Sequence, residues 1–137
     1  IAQSLAGLIK NSSHVLVMGH KNSDLDSFGA SLGVAKIAIA YGKKANIVVD
    51  FESIEKKTKD VATMIKNHDK YKGMIISYTE AMEHINKNTL LIVVDNHKPS
   101  LAISNALLER VRNKVIIDHH RRGEEFIGSY LSGASRI

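Results

Sequence analysis

The sequence predicts an α/β fold built on a parallel five-stranded sheet core with helices on both faces, and three observations carry that expectation. Five short runs rich in Val, Ile and Leu recur along the chain, at His14–Met18, Ala45–Val49, Gly73–Ser77, Leu90–Val94 and Lys114–Ile117. These runs are continuously apolar rather than alternating, as expected of strands covered on both faces. Segments of helical spacing separate them, and alternation of strand and helix implies one sheet joined by right-handed crossovers.

Taken in order, the first helix is expected at Ala2–Lys10, ahead of the first strand. From Ser27 to Tyr41, apolar residues including Phe28, Leu32, Ala35 and Ile39 fall at helical spacing, and Gly42 follows as a C-terminal cap. Gly29 and Gly33 lower helix propensity within that segment, so close packing of the helix against the sheet is their expected purpose. Further helices are expected at Ile54–Asn67, Thr79–Asn86 and around Asn105–Arg112. Ligands of such sheets collect in the loops at the carboxyl ends of the strands.

Composition narrows the chemistry. The chain has 137 residues, 44% hydrophobic and 24% charged, which suits one folded domain spanning 1–137. No apolar stretch approaches the roughly 20 residues that a membrane-spanning helix needs. With no cysteine, disulfides, thiolate metal sites and cysteine nucleophiles are excluded, and any metal must use His and carboxylate. A formal charge of +5 suits an anionic partner, while 5% aromatics and no Trp give little material for stacking bases. A small phosphorylated ligand is therefore expected, and no long nucleic acid. The chain opens on Ile1 and closes on Arg136-Ile137, so a truncated piece of a longer protein is expected.

Three clusters follow strands. The first, Met18-Gly19-His20-Lys21-Asn22-Ser23-Asp24-Leu25-Asp26-Ser27, offers His20, Asp24 and Asp26 as a hard, mixed nitrogen and oxygen ligand set. Asp and Asn are also ordinary turn residues, and Asp26 or Ser27 could equally cap the next helix. The second, Val93-Val94-Asp95-Asn96-His97-Lys98-Pro99, brings a carboxylate out of an apolar strand, where an unpaired charge is costly. Asp95 thus calls for a cation or several donors, and bridging two metals would satisfy both oxygens. His97 and Lys98 are candidates for substrate binding. The third, Ile116-Ile117-Asp118-His119-His120-Arg121-Arg122, has adjacent histidines that can divide labour: His119 on metal, His120 on substrate, and Asp118 fixing an imidazole tautomer. Arg121 and Arg122 either hold phosphate or are solvated. His14, His68 and His84 receive no role.

The conjunction of His20-x-x-x-Asp24-x-Asp26-x-x-Gly29-Ala30, Asp95-x-His97 and Asp118-His119-His120 resembles the first three motifs of the DHH superfamily of phosphoesterases. That superfamily includes RecJ-type exonucleases, oligoribonucleases, family II inorganic pyrophosphatases and cyclic di-AMP phosphodiesterases. The segments VMGHKNSDLDSFGASLGVAKIA, LLIVVDNHKPS and VIIDHHRRGEEFI are most similar to the GdpP-type cyclic di-AMP phosphodiesterases, and the resemblance runs from about His14 to Ile127. Ser23 stands where that subfamily usually has proline. The resemblance implies a Rossmann-like DHH domain with two Mn2+ ions. His20 and Asp24 would hold one, Asp26 and His119 the other, and Asp95 would bridge them; His120 and Asp118 would be catalytic, and His97, Lys98 and Arg121 would meet the substrate.

It further implies manganese-dependent hydrolysis of cyclic di-AMP to linear pApA by a two-metal mechanism. The family also supplies a fourth-motif Asp ligand and a second, substrate-gripping DHHA1 domain with a Gly-Gly-Gly-His element. Only 17 residues follow His120. Neither part is found there, so weak or no turnover is expected of this piece. The resemblance implies a cytoplasmic domain of a parent anchored in the bacterial cell membrane through segments outside this chain. Oligomeric state leaves no clear mark, with a homodimeric parent as one option. An oligoribonuclease or exonuclease of the same superfamily is the alternative with the same metal chemistry. A nucleotide-binding module without catalysis is the alternative of a different class.

Overall fold

The computed structural model describes residues 2–19, 25–95, 105–118 and 130–131. The elements in chain order are α1 (Ala2–Lys10), β1 (His14–Met18), α2 (Leu25–Ala40), β2 (Lys44–Val48), α3 (Lys56–Lys66), β3 (Ile75–Ile76), α4 (Tyr78–His84), β4 (Thr89–Asp95), α5 (Asn105–Arg110), β5 (Asn113–Asp118) and β6 (Tyr130–Leu131). They form one sheet in the order β3-β2-β1-β4-β5-β6. The first five strands pair in parallel, as the sequence predicts. A short sixth strand, β6, adds an antiparallel edge against β5 that the sequence pattern did not announce.

The strand order follows from how the chain travels. From β1 it moves outward through β2 to β3, then returns to the other side of β1 as β4 and continues to β5. Crossovers of constant hand must then place the first helices on one face and the later ones on the other. The core divides in that way. Residues of α1, α2 and α3 pack with Val15, Val17, Ile47, Ile92, Val115 and Ile117. Residues of α4 and α5 pack with Leu16, Met18, Val48, Leu91, Val93 and Ile116. Neighbours along each strand alternate between these clusters, which is why the strands read as unbroken apolar runs.

Local chemistry sets the element ends. At the close of α2, Gly42 takes a left-handed φ of 80°, its N–H donates to the Ile39 carbonyl at 2.8 Å, and the Lys43 N–H donates to Ala38 at 3.1 Å. This is the Schellman arrangement expected of a glycine cap. Helix α4 starts in a capping box: the Glu80 N–H donates to Ser77 Oγ at 3.1 Å, and the Ser77 N–H donates to Glu80 Oε1 at 3.0 Å. The expectation for Gly29 and Gly33 fails. Both are exposed, and a Cβ added at either would meet nothing within 4 Å, so close packing does not explain them. Among the described residues no helix is long and apolar enough to cross a membrane.

One polar network lies inside the amino end of the sheet. His14 and Asn46 are both buried, and His14 Nε2 lies 2.7 Å from Asn46 Oδ1. Asn46 Nδ2 donates to the Gly73 carbonyl at 2.7 Å, which orients the amide so that its oxygen faces the imidazole. His14 Nε2 is therefore the donor in the first bond. Gly73 has a φ of 85°, a backbone state that costs other residues free energy, in the turn that delivers β3. The network thus ties β1, β2 and the approach to β3 together.

Burial pushes the His14 imidazole below its ordinary value of 6.5; the hydrogen bond to Asn46 opposes this, and the charges of Lys44 and His84 reinforce it. A depressed folded value means that the unfolded chain binds the extra proton first. The contribution of His14 is therefore fully present above about pH 6.5 and is lost progressively as the pH falls toward the lower folded value. Urea midpoints measured from pH 8 to pH 5 should decline on this account, with a shallower decline in His14→Gln. In the core, Ile92→Ala should cost about 2–5 kcal/mol because Ile92 is fully buried on the central strand β4. Denaturant titration at pH 8 isolates that loss from the histidine.

Candidate metal and phosphate site

The carboxyl ends of the parallel strands lie at one edge of the sheet, and β1 and β4, adjacent there, are where the strand order reverses. Crevices at such reversals are where open α/β sheets bind ligands. Of the residues singled out from the sequence, Asp26, Asp95 and Asp118 fall within the described structure, and all three belong to this edge. Asp95 is the last residue of β4 and Asp118 the last of β5, and the two are register partners. Adjacent strands run about 4.8 Å apart, so two carboxylate-bearing residues stand one strand spacing from each other.

Asp26 arrives from the neighbouring strand. β1 ends at Met18, which is in register with Val93 of β4, and α2 begins at Leu25. Asp26 lies in the first turn of α2 and is exposed. The helix already includes Asp26 and Ser27, so neither takes the N-cap position that the sequence left open for them. A carboxylate in the first turn is still favoured there by the helix dipole.

His20 and Asp24 from the first cluster, His97 and Lys98 from the second, and His119, His120 and Arg121 from the third lie outside the described residues. In the sequence His20 is two residues beyond Met18, and His119 directly follows Asp118. Among the described residues no group of three or more potential ligands closes on a metal position. What the described edge supplies is three carboxylate residues on three elements and, behind them, a dry support. Val94 and Ile117, the residues before Asp95 and Asp118, line an apolar cavity of about 230 Å³ with Leu5, Ile9, Ala30 and Ile37.

Sequence reasoning missed the part that His14 and Asn46 play at the opposite edge. An asparagine inside an otherwise apolar strand was the available signal, since a buried amide needs partners.

Residues 14–132 match the DHH family, N-terminal domain. The cyclic-di-AMP phosphodiesterase GdpP of Bacillus subtilis (strain 168) is 42% identical over 127 residues, covering 93% of this chain and 19% of that protein. The cyclic-di-AMP phosphodiesterase PdeA of Listeria monocytogenes serotype 1/2a (strain 10403S) is 41% identical over 129 residues, covering 94% of this chain and 20% of that protein. A membrane protein-large ribosomal subunit bL9 fusion protein of Onion yellows phytoplasma (strain OY-M) is 34% identical over 134 residues, covering 96% of this chain and 16% of that protein. The chain thus spans about a fifth or less of the length of the curated relatives it matches.

If Asp95 and Asp118, register partners at adjacent strand ends, help hold a divalent cation, its binding is linked to folding. Mn2+ is therefore expected to raise the thermal stability of the chain, by about 2.7 kcal/mol at a concentration a hundred times the dissociation constant. Asp95→Asn should remove most of that gain. Calorimetric melting with and without the ion reads both quantities, and an equal gain in the variant would detach the register pair from metal binding.

Proposed function

The chain belongs to the DHH family, and from that membership we propose that it is the metal-binding part of a phosphodiesterase that opens cyclic di-AMP to linear pApA. The observation that carries the reading is the Asp95–Asp118 register pair at the carboxyl ends of β4 and β5, beside the strand reversal that also receives Asp26. Two relatives named as cyclic-di-AMP phosphodiesterases, at 41–42% identity, support a cyclic dinucleotide as the substrate.

The donor chemistry fits two Mn2+ ions. Carboxylates and imidazoles without any thiolate suit hard divalent cations, and the described edge brings Asp95 and Asp118 into register on adjacent strands. In this reading His20 and Asp24 would hold one ion, Asp26 and His119 the other, and Asp95 would serve as a ligand common to both. When bound, such a pair supplies Lewis acidity at the phosphoryl group and a water nucleophile at neutral pH. His120 meets the substrate and manages a proton at the leaving oxygen. Asp118, from the strand end beside Asp95, holds an imidazole in the tautomer its role requires. His97, Lys98 and Arg121 orient the phosphates, with Arg121 able to grip two oxygens at once. Catalysis is then mainly positioning and charge stabilisation.

A parent protein in the membrane is part of the same reading. It is supported by the phytoplasma relative, whose name describes a membrane protein. This chain would be the cytoplasmic catalytic portion of such a parent.

The test uses the full-length protein with Mn2+ against cyclic di-AMP, cyclic di-GMP, pApA, pyrophosphate and single-stranded DNA. Cyclic di-AMP should be the preferred substrate with pApA as product, and preference for pyrophosphate or DNA would overturn the assignment. Asp95→Ala and His119→Ala should each lose at least about 100-fold in kcat/KM, the upper end of what losing a supporting partner costs, with the fold intact by circular dichroism.

A further inference from the structure

A second charged region lies away from the carboxyl edge. A cavity of about 440 Å³ opens beside the edge strand β3, reaching the amino end of β2. Lys44 enters it from the first position of β2, Lys66 from the last turn of α3, Lys72 from the turn before β3 and His84 from the last turn of α4. Four separate parts of the chain therefore contribute basic residues to the lining of one concavity. Glu80 is the carboxylate of its lining, and that group is already engaged at the Ser77 N–H in the α4 capping box.

The described residues form their ion pair elsewhere, between Lys56 and Asp60 at 3.2 Å on the exposed face of α3. No described carboxylate approaches Lys44, Lys66 or Lys72 as closely. Lys66 Nζ lies 5.2 Å from the centre of the Phe51 ring, which holds a cation without neutralising it. Asn46, whose amide is fixed by His14 and the Gly73 carbonyl, adds a rigid wall. The Ser77 N–H and, after it, the charges of Lys66 and His84 hold the Glu80 carboxyl below its ordinary value; three lysines and a histidine against that one carboxylate still leave the lining with excess positive charge, and the volume falls within the range of small-ligand sites.

We propose that this cavity is a binding site for a small phosphate-bearing ligand, formed by Lys44, Lys66, Lys72 and His84 and separate from the carboxyl-edge site. Lysine suits phosphate as a compact point charge, and three lysines from separate parts of the chain match the dispersed charge of a di- or triphosphate better than a single helix end would. The concavity and the scarcity of aromatic residues favour a small ligand over a nucleic-acid strand. Occupancy has a built-in reporter. The charges of Lys44 and His84 act on the buried His14 imidazole, and a dianion bound beside them would oppose their effect there.

The experiment titrates the chain with inorganic pyrophosphate, and separately with ATP, in EDTA and about 0.1 M salt, following the His14 and His84 imidazole resonances by NMR. EDTA keeps any metal-dependent site at the carboxyl edge out of the measurement. Saturable shifts at both histidines, with a dissociation constant below about 1 mM for at least one ligand, are expected. The double variant Lys44→Gln/Lys72→Gln should weaken binding at least about tenfold, while Lys44→Arg/Lys72→Arg, which keeps the charge, should retain it. Asp95→Asn should leave it unchanged. Linear shifts that never saturate, equal binding in the Gln and wild-type proteins, or loss of binding in Asp95→Asn would each overturn the proposal. A dispersed amide spectrum of each variant shows that it is folded.

Discussion

The parallel pairing of β1 with β4 is the constraint on which the rest of the molecule depends. Because β4 returns to the far side of β1, crossovers of one hand place α1, α2 and α3 on one face of the sheet and α4 and α5 on the other. The strands are then buried on both sides, as the full burial of Val15, Leu16, Val17 and Met18 shows. Polar side chains are expensive anywhere along such strands and must be moved to the ends or fully paired. The carboxylate residues stand at the ends of β4 and β5. Opposite edges of one sheet consequently meet water and ligands in different ways.

The amino end shows the other solution. His14 and Asn46 lie within strands, and burial is tolerable because the imidazole donates to the amide oxygen and the amide nitrogen donates to the Gly73 carbonyl. A satisfied network of this kind specifies geometry more than it adds stability. It fixes the register of β1 against β2 and anchors a turn whose Gly73 backbone is left-handed. The carboxyl edge, in contrast, has its residues delivered by strand ends and by the start of α2, where loops can vary without disturbing that lock.

Continuous apolar runs were sufficient to locate five strands, since doubly covered strands have little alternative composition, and β1 is bounded as expected at His14–Met18. Gly42 was legible because a left-handed cap admits few residue types. Gly29 and Gly33 misled because a glycine on an exposed helix face has the same letter as one under a close contact; only coordinates show the empty space beside them. β6 was invisible, as Tyr130–Leu131 is two residues long and its pairing is set by tertiary context. At the site, the clustering of Asp and His after strands could be read directly, whereas the register match of Asp95 with Asp118 depends on strand order, which no local pattern encodes. The His14–Asn46 bond was hidden for the same reason, since its partners are 32 residues apart.

The two sites proposed at the two ends of the sheet differ in how each would meet an anion. Asp26, Asp95 and Asp118 stand at the carboxyl edge, while Lys44, Lys66 and Lys72 line the cavity near the amino edge. On the proposed reading a phosphodiester is held at the carboxyl edge through bound cations, so removing the metal should weaken substrate binding as well as turnover. The lysine-lined cavity has no such requirement, since its own ammonium groups supply the counter-charge. Dependence of phosphate binding on divalent metal thus separates the two edges by a physical criterion that does not rely on which ligand is used.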